Sequence, residues 1–237
     1  MANKKEPETP QKRFEDAFKE YKSHSSSFEA WQRFVYIAGR MLARSFGNDT
    51  SPFDDIADAA ENASGVEKFS IMFNSLVEML EENPFQDALG SMFMNLGIGN
   101  EAGGQFFTPY HLAKLTAKLA FDEHTFENAV SDKGFATFNE PSCGAGANVI
   151  GACDVMHERG VDWQRKALFV CQDISELTAL MCYIQLSLIG AAAVVIVGDT
   201  LKIESRLALI TPCLMVDDVW VLRHIRELSN EHRTVWR

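Results

Sequence analysis

Three short stretches of this 237-residue chain carry residue types suited to gripping a small ligand. The first is Phe135 to Ala147, Phe-Ala-Thr-Phe-Asn-Glu-Pro-Ser-Cys-Gly-Ala-Gly-Ala. Its apolar opening (Phe135, Ala136, Phe138) has the length of a buried strand. It turns at Gly144-x-Gly146, and Ala147 to Ala152 continues as a helix. Strand, glycine turn and helix together bring backbone close to a nucleotide-like ligand. A Cβ in that turn blocks either the ligand or the positive φ that the turn needs. The same string also serves as a tight turn with no ligand at all. The second stretch is Ala167 to Cys171, a buried strand leading into Gln172-Asp173-Ile174. A carboxylate at that strand end can accept hydrogen bonds from both hydroxyls of a ribose. The offset from Gly146 to Asp173 is 27 residues, somewhat beyond the usual offset of about 20. The third stretch is Ala193 to Val197, a strand that ends in Gly198-Asp199-Thr200-Leu201. Each aspartate also has an ordinary use as a cap or turn residue. Three strand ends offering Gly-x-Gly, Asp and Asp in that order nevertheless point to one rim, because ligands of open α/β sheets sit at the carboxyl ends of the strands.

The elements that hold these residues are legible in the pattern around them. Ser175 caps an apolar helix running through Leu177, Leu180, Met181, Ile184 and Leu188 and stopped at Gly190. Upstream, Thr108 is placed as an N-cap and Pro109 as the first helical residue of a segment through Leu112, Leu115, Leu119 and Ala120. Gly103-Gly104 before it leaves two readings. One is a linker and a capped helix; the other is a helix N-terminus that offers N–H groups to a carboxylate. The first hundred residues read as helical throughout. Phe14, Ala17, Phe18 and Tyr21 share one face, as do Phe28, Trp31, Phe34, Val35, Ala38, Met41 and Leu42,. Further helices follow at Pro52–Ala60, Phe69–Leu80 and Pro84–Leu96. These aromatic stripes are core, and nothing among them has the look of catalysis. The polar start with Pro7 and Pro10 reads as a disordered lead.

Composition excludes several classes. The formal net charge is -11, which argues against tight autonomous binding of nucleic acid,. No apolar run is long enough for a membrane span, and no apolar stretch follows Met1 as in a signal peptide. The five cysteines are odd in number and contain no Cys-x-x-Cys pair. They read as reduced thiols in a cytoplasm, not as a metal site or disulfide frame.

Gly104-Gln105-Phe106-Phe107-Thr108-Pro109 followed by Glu140-Pro141-Ser142-Cys143-Gly144-Ala145-Gly146 resembles the adenine-N6 DNA methyltransferases of the type I restriction-modification group, in their modification subunits. Asp87-Ala88-Leu89-Gly90, Gln172-Asp173-Ile174 and Gly198-Asp199-Thr200-Leu201 fall in that family's order. The resemblance covers about residues 70 to 201. It implies an S-adenosylmethionine (SAM) site. Phe107, Thr108 and Pro109 would border the methionine end. Glu140, Pro141 and the turn from Cys143 to Gly146 would lie under the amino group and sugar. Asp173 would hold the ribose, and Ile174 would pack on the adenine. Asp199 would accept from the adenine amino group, and Leu201 would flank the ring. A nicotinamide dinucleotide fits less well, since the turn lacks the third glycine.

The chain also departs from that family. The resemblance leads one to expect Asn or Asp, then Pro-Pro and an aromatic, after a fourth strand, to polarise the target amine and stack on a flipped base. No such tetrapeptide occurs in the sequence. The nearest stretch is Leu209-Ile210-Thr211-Pro212-Cys213, with Asp217, Asp218 and Trp220 beyond it, so the catalytic residues are unknown. The expected fold is α/β: a disordered lead over 1–12, a helical domain over 13–100, and an incomplete Rossmann-like SAM-dependent methyltransferase domain over 101–237, with its C-terminal half missing or degenerate. An incomplete sheet exposes an edge, which predicts a homo-oligomer or a hetero-complex. DNA would then be reached through a dimer or a partner subunit.

Overall fold

The computed structural model describes residues 8–62, 65–101 and 107–223. Six helices come first: α1 (Pro10–Lys22), α2 (Ser27–Ser45), α3 (Asp54–Asn62), α4 (Val66–Glu82), α5 (Ala88–Asn95) and α6 (Ile98–Glu101). α1 starts earlier than its apolar pattern, because Thr9 caps it, accepting from the Lys12 N–H, and Pro10 fills the first helical position,. Residues 1–7 of the predicted lead lie outside the described residues. α2 opens with a reciprocal cap: Ser26 accepts from the Glu29 N–H while Glu29 accepts from the Ser26 N–H,. The helix expected from Pro84 begins only at Ala88, where Asp87 accepts from the Gly90 N–H. Trp31 lies at the middle of this module, with Phe14, Phe18, Phe34 and Phe93 ranged around it.

The second half runs α7 (Tyr110–Ala120), α8 (Glu123–Lys133), β1 (Ala136–Glu140), α9 (Ala147–Glu158), α10 (Trp163–Lys166), β2 (Ala167–Asp173), α11 (Glu176–Leu188), β3 (Ala193–Val197), β4 (Leu207–Ile210) and α12 (Pro212–Val216). The strands lie in the order β1-β2-β3-β4. The first three are parallel, and β4 returns antiparallel beside β3. Both parallel crossovers step the same way across the sheet, so right-handed connections place α9 and α11 on one face. The strands show it: Phe169, Cys171, Val195 and Val197 are buried, while the alternate residues Val170, Val194 and Ile196 are only half-buried. The sheet belongs to the expected α/β class, wound in one direction over the part described.

α11 is the hinge of the packing. Leu177 to Leu186 are buried without exception, since the sheet lies on one side and the helical module on the other. Leu180 sits against Gly39 of α2, and the Trp31 indole N–H points at the Met181 sulfur 3.5 Å away. The hydrophobic core therefore passes from α1 through α11 into the sheet without a break.

α7 departs from its sequence reading in two ways. Pro109 has extended backbone (ψ 135), so the helix starts at Tyr110 and the Thr108 side chain does not cap it. Leu112, Leu115 and Leu119 are not core: they are 45%, 52% and 81% exposed. The buried residue of α7 is Ala113, whose backbone lies against Gly151 of α9, where an added Cβ would come within 3.1 Å.

Candidate functional site

The carboxyl ends of β1, β2 and β3 are tied to one another by hydrogen bonds. The Cys143 N–H donates to the Gln172 carbonyl at 2.9 Å, and the Gly198 N–H to the Asp173 carbonyl at 2.9 Å. The Thr200 hydroxyl reaches back across the rim to the Pro141 carbonyl at 2.7 Å. The glycine turn after β1 has φ of +53 at Gly144 and +104 at Gly146. Both positions are also crowded. A Cβ on Gly144 would stand 3.3 Å from the Phe107 ring, and one on Gly146 would stand 3.1 Å from the Cys182 sulfur. Backbone conformation and close approach thus both require glycine.

Asp173 is the knot of the rim. Its Oδ2 accepts from the Gly144 N–H at 2.8 Å, and its Oδ1 from the Ser175 N–H at 2.9 Å and the Thr178 hydroxyl at 3.1 Å. Of the roughly four lone-pair sites of a carboxylate, these three bonds leave one, on Oδ2, for a further donor,. In front of it lies a cavity of about 180 Å³ lined by Phe107, Thr108, Cys143, Gly144 and Asp173, with Asn148 at the side. Glu140 stands next door. Its Oε1 accepts from the Ser142 N–H at 3.3 Å and its Oε2 from Asn148 Nδ2 at 3.1 Å. Asn148 also faces a second, more apolar cavity of about 170 Å³ between α7, α9 and β1.

Of the residues singled out from sequence, Phe107, Thr108, Cys143, Gly144 and Asp173 line one cavity. Gly146 shapes the turn and caps α9, and Pro109 leads into α7. Glu140 and Pro141 brace the turn from the β1 side. Ile174 is 63% exposed and Leu201 is 96% exposed, so both stand in solvent near the rim. Asp199 does not line the cavity. Its Oδ1 accepts from the N–H groups of Leu201 (3.0 Å) and Lys202 (3.2 Å), and its Oδ2 lies 3.4 Å from the Lys202 ammonium. It caps its own loop, which is the plainer of the two uses open to it from sequence. Gly103 and Gly104 lie outside the described residues.

The thiols beneath the turn are uncharged packing groups. The Cys182 thiol beside Cys143 works to lower its pKa, but burial together with the nearby Cys171, Asp173 and Glu140 turns the net shift upward. Cys182 is raised well above the usual thiol range by its contacts with Cys143 and Cys171 and by burial. Thiols of this kind are inert. Among the described residues no group of side chains is arranged to hold a metal ion.

Sequence reasoning passed over Asn148 and Gln185. Asn148 had a readable position, on the first turn of the helix that follows the glycine turn. Gln185 had a readable oddity, an amide in the middle of an apolar helix.

A family model described as N-6 DNA Methylase matches residues 91–209, which is 119 of the 237 residues. The chain belongs to the N-6 DNA methylase family. The matched span runs from α5 to the middle of β4 and contains the whole rim. A solved structure from Listeria monocytogenes, described as a class I S-adenosylmethionine-dependent methyltransferase, is similar over 78% of this chain and 51% of that one, at 13% identity and a TM-score of 0.38. The chain thus spans about half the length of that protein. No curated protein matches it.

The stretch nearest to a catalytic signature of this family lies far from the rim. β4 is antiparallel, with Leu207 opposite Val197 and Ile210 opposite Val194. Thr211 is therefore delivered to the amino end of β3, about 13 Å from the rim at the strand rise of ~3.3 Å per residue. There its hydroxyl donates to the Ala191 carbonyl at 2.6 Å and accepts from the Ala193 N–H at 2.8 Å. Asp217 and Trp220 lie at the same far end: Asp217 pairs with Arg165, and the Trp220 indole N–H donates to the Gln164 carbonyl. Among the described residues no helix is long and apolar enough to cross a membrane.

Proposed function

We propose that the chain is the S-adenosylmethionine-binding part of a DNA adenine-N6 methyltransferase and works with a partner subunit or a second copy. The observation that carries this reading is the cavity at the β1–β2 rim, in a member of the N-6 DNA methylase family. Its donor set fits SAM. Asp173 accepts from a ribose hydroxyl on its remaining Oδ2 site, Phe107 supplies an apolar wall, and the glycine turn lets backbone approach,. Exposed Ile174 is an apolar surface for a flat base to cover. Bound there, SAM supplies an electrophilic methyl group for transfer to the exocyclic nitrogen of adenine. Asp199 lies outside the cavity lining, so in this reading the base contact rests on Ile174.

The placement of Thr211-Pro212-Cys213 favours a second reading. With that stretch at the wrong end of the sheet, and no Asn/Asp-Pro-Pro-aromatic string in the sequence, the chain binds SAM without performing transfer itself. In either reading the net charge of -11 assigns DNA contact to a partner, as in a restriction-modification assembly,. The unpaired outer edge of β1 and the exposed leucines of α7 are the two surfaces we assign to that partner,.

Calorimetric titration of SAM into the wild type and Asp173→Ala tests the site. Binding in the wild type and at least tenfold loss in the variant is expected; no binding in either removes the cofactor reading. Label carried from tritiated SAM into adenine-rich DNA would overturn the second reading, since it requires a catalytic chain.

A further inference from the structure

α5 touches the rim cavity at two points. The first is a buried polar chain. Asp87, just ahead of α5, accepts on Oδ1 from the Gly90 N–H at 2.9 Å and from Gln185 Nε2 at 2.9 Å. Gln185 Nε2 also donates to the Ala145 carbonyl at 2.8 Å, and its Oε1 accepts from the Leu89 N–H at 2.9 Å. One amide thus joins the start of α5, the acid before it and the middle residue of the glycine turn. The chain also accounts for the Asp-x-x-Gly spacing of Asp87 and Gly90: a Cβ at Gly90 would fall 2.1 Å from Asp87 Oδ2. The second point is aromatic. Phe93 packs edge-on against Phe107 of the cavity wall at 5.2 Å, and its other side meets Trp31 at 6.0 Å.

The turn needs such a brace. Gly144-Ala145-Gly146 puts glycine on both sides of one peptide carbonyl, and glycine is the residue whose backbone is least restrained. Asp173 holds the Gly144 N–H from the front. Gln185 holds the Ala145 carbonyl from behind. Burying an acid and an amide is costly, and an apolar pair of the same shape avoids that cost. What the polar pair provides is direction: it fixes where one carbonyl points.

We infer that Gln185, backed by Asp87, is a positioning residue for the cofactor turn, and that α5 is the element through which the helical module sets the shape of the cavity. The benefit to binding rests on the SAM reading; the bracing of the turn does not. A turn already held in its binding shape spares the ligand the cost of ordering it. Gln185→Met keeps the side-chain length and removes all three hydrogen bonds. Tyr36→Phe is the control. It removes a different bond between the same two layers, from the Tyr36 hydroxyl to Glu176 Oε1 at 2.7 Å, away from the turn.

The test is hydrogen exchange of the Gly144 and Gly146 amides in the full chain, together with calorimetric SAM affinity. Gln185→Met should speed exchange at both amides and weaken SAM by about tenfold or more each, the scale of one buried hydrogen bond lost. Tyr36→Phe should change neither. Asp87→Asn, which keeps an acceptor for Gly90 and Gln185, should stay close to wild type. A folded Gln185→Met with wild-type exchange overturns the inference. If that variant does not fold, the wild type decides alone: the two amides should be as protected as the middle of α11, and fast local exchange overturns the inference. A wild type that fails to bind SAM removes the proposed function and leaves the exchange result to judge the brace.

Discussion

At β4 the sheet ends against the side chain of Asn48. Its Oδ1 accepts from the Ile210 N–H at 2.7 Å and its Nδ2 donates to the Ile210 carbonyl at 3.0 Å, copying the pairing of one more strand residue. At β1, on the opposite side, no strand or side-chain amide among the described residues pairs with the outer backbone of Ala136–Glu140. The neighbours differ in the same sense. Asn48 comes from the helical module, which covers its side of the sheet. The β1 side is bordered by α8, whose Phe126 packs against Phe138, while α7 meets β1 across a cavity and its leucines face solvent. Edges left open attract further strands, and proteins normally blunt them. One edge is thus closed by a dedicated amide, and the other has no such closure among the described residues.

Four variants probe that contrast, from the largest expected effect to the smallest. Gly151→Leu would drive a side chain into the backbone of Ala113 and lift α7 from α9. Overpacking at a backbone contact should cost about 3 kcal/mol, read from the urea midpoint. A small shift instead would mean that α7 is held elsewhere. Asn48→Ala leaves the Ile210 N–H and carbonyl without their partner. The expected loss is about 2 kcal/mol by denaturation, and an unchanged midpoint would show that water seals that edge as well. Leu115→Asp with Leu119→Asp should alter stability by less than about 0.5 kcal/mol, as surface changes do. In sedimentation at high concentration the proposed interface predicts association of the wild type that this pair lowers; a wild type that stays monomeric there removes the β1-side interface between copies.

The smallest effect concerns pH. Lys114 and Lys118 hold the Glu158 carboxyl down from 4.5 to about 2 by hydrogen bonds, tying α7 to α9 on the open side. A depressed folded pKa stabilises above the unfolded value, and that contribution is lost as pH falls from about 4.5 through 2. Melting curves across this range should show a shallow decline in wild type that Glu158→Gln lacks. Equal slopes would place the acid sensitivity in other carboxylates.

Much of the fold was written in local chemistry. β3 appears at Ala193–Val197 as read, and β2 only runs two residues further, to Asp173. Their unbroken apolar runs have few other uses in a chain of this composition. The glycine turn was equally legible, because positive φ at Gly144 and Gly146 is a property of the backbone and needs no partner to be anticipated. α7 misled. Leu112, Leu115 and Leu119 have helical spacing, but spacing says that residues share a face, not what that face meets. α8, between α7 and β1, has no such pattern in the sequence; its apolar content is thin, and Phe126 is its buried residue.

What the residues determined alone was the three parallel strands, the turn that must be glycine, and an acid at the end of β2. These follow from dihedral preferences and from apolar runs, which act over a few residues. Only the tertiary structure decided that β4 turns back antiparallel and carries Thr211 away from the rim, that Asp199 caps its own loop, and that Gln185 reaches Ala145 across 40 positions of sequence. Pairing direction and long-range hydrogen bonds depend on which surfaces are left to be covered once the chain has packed, and no local pattern records that.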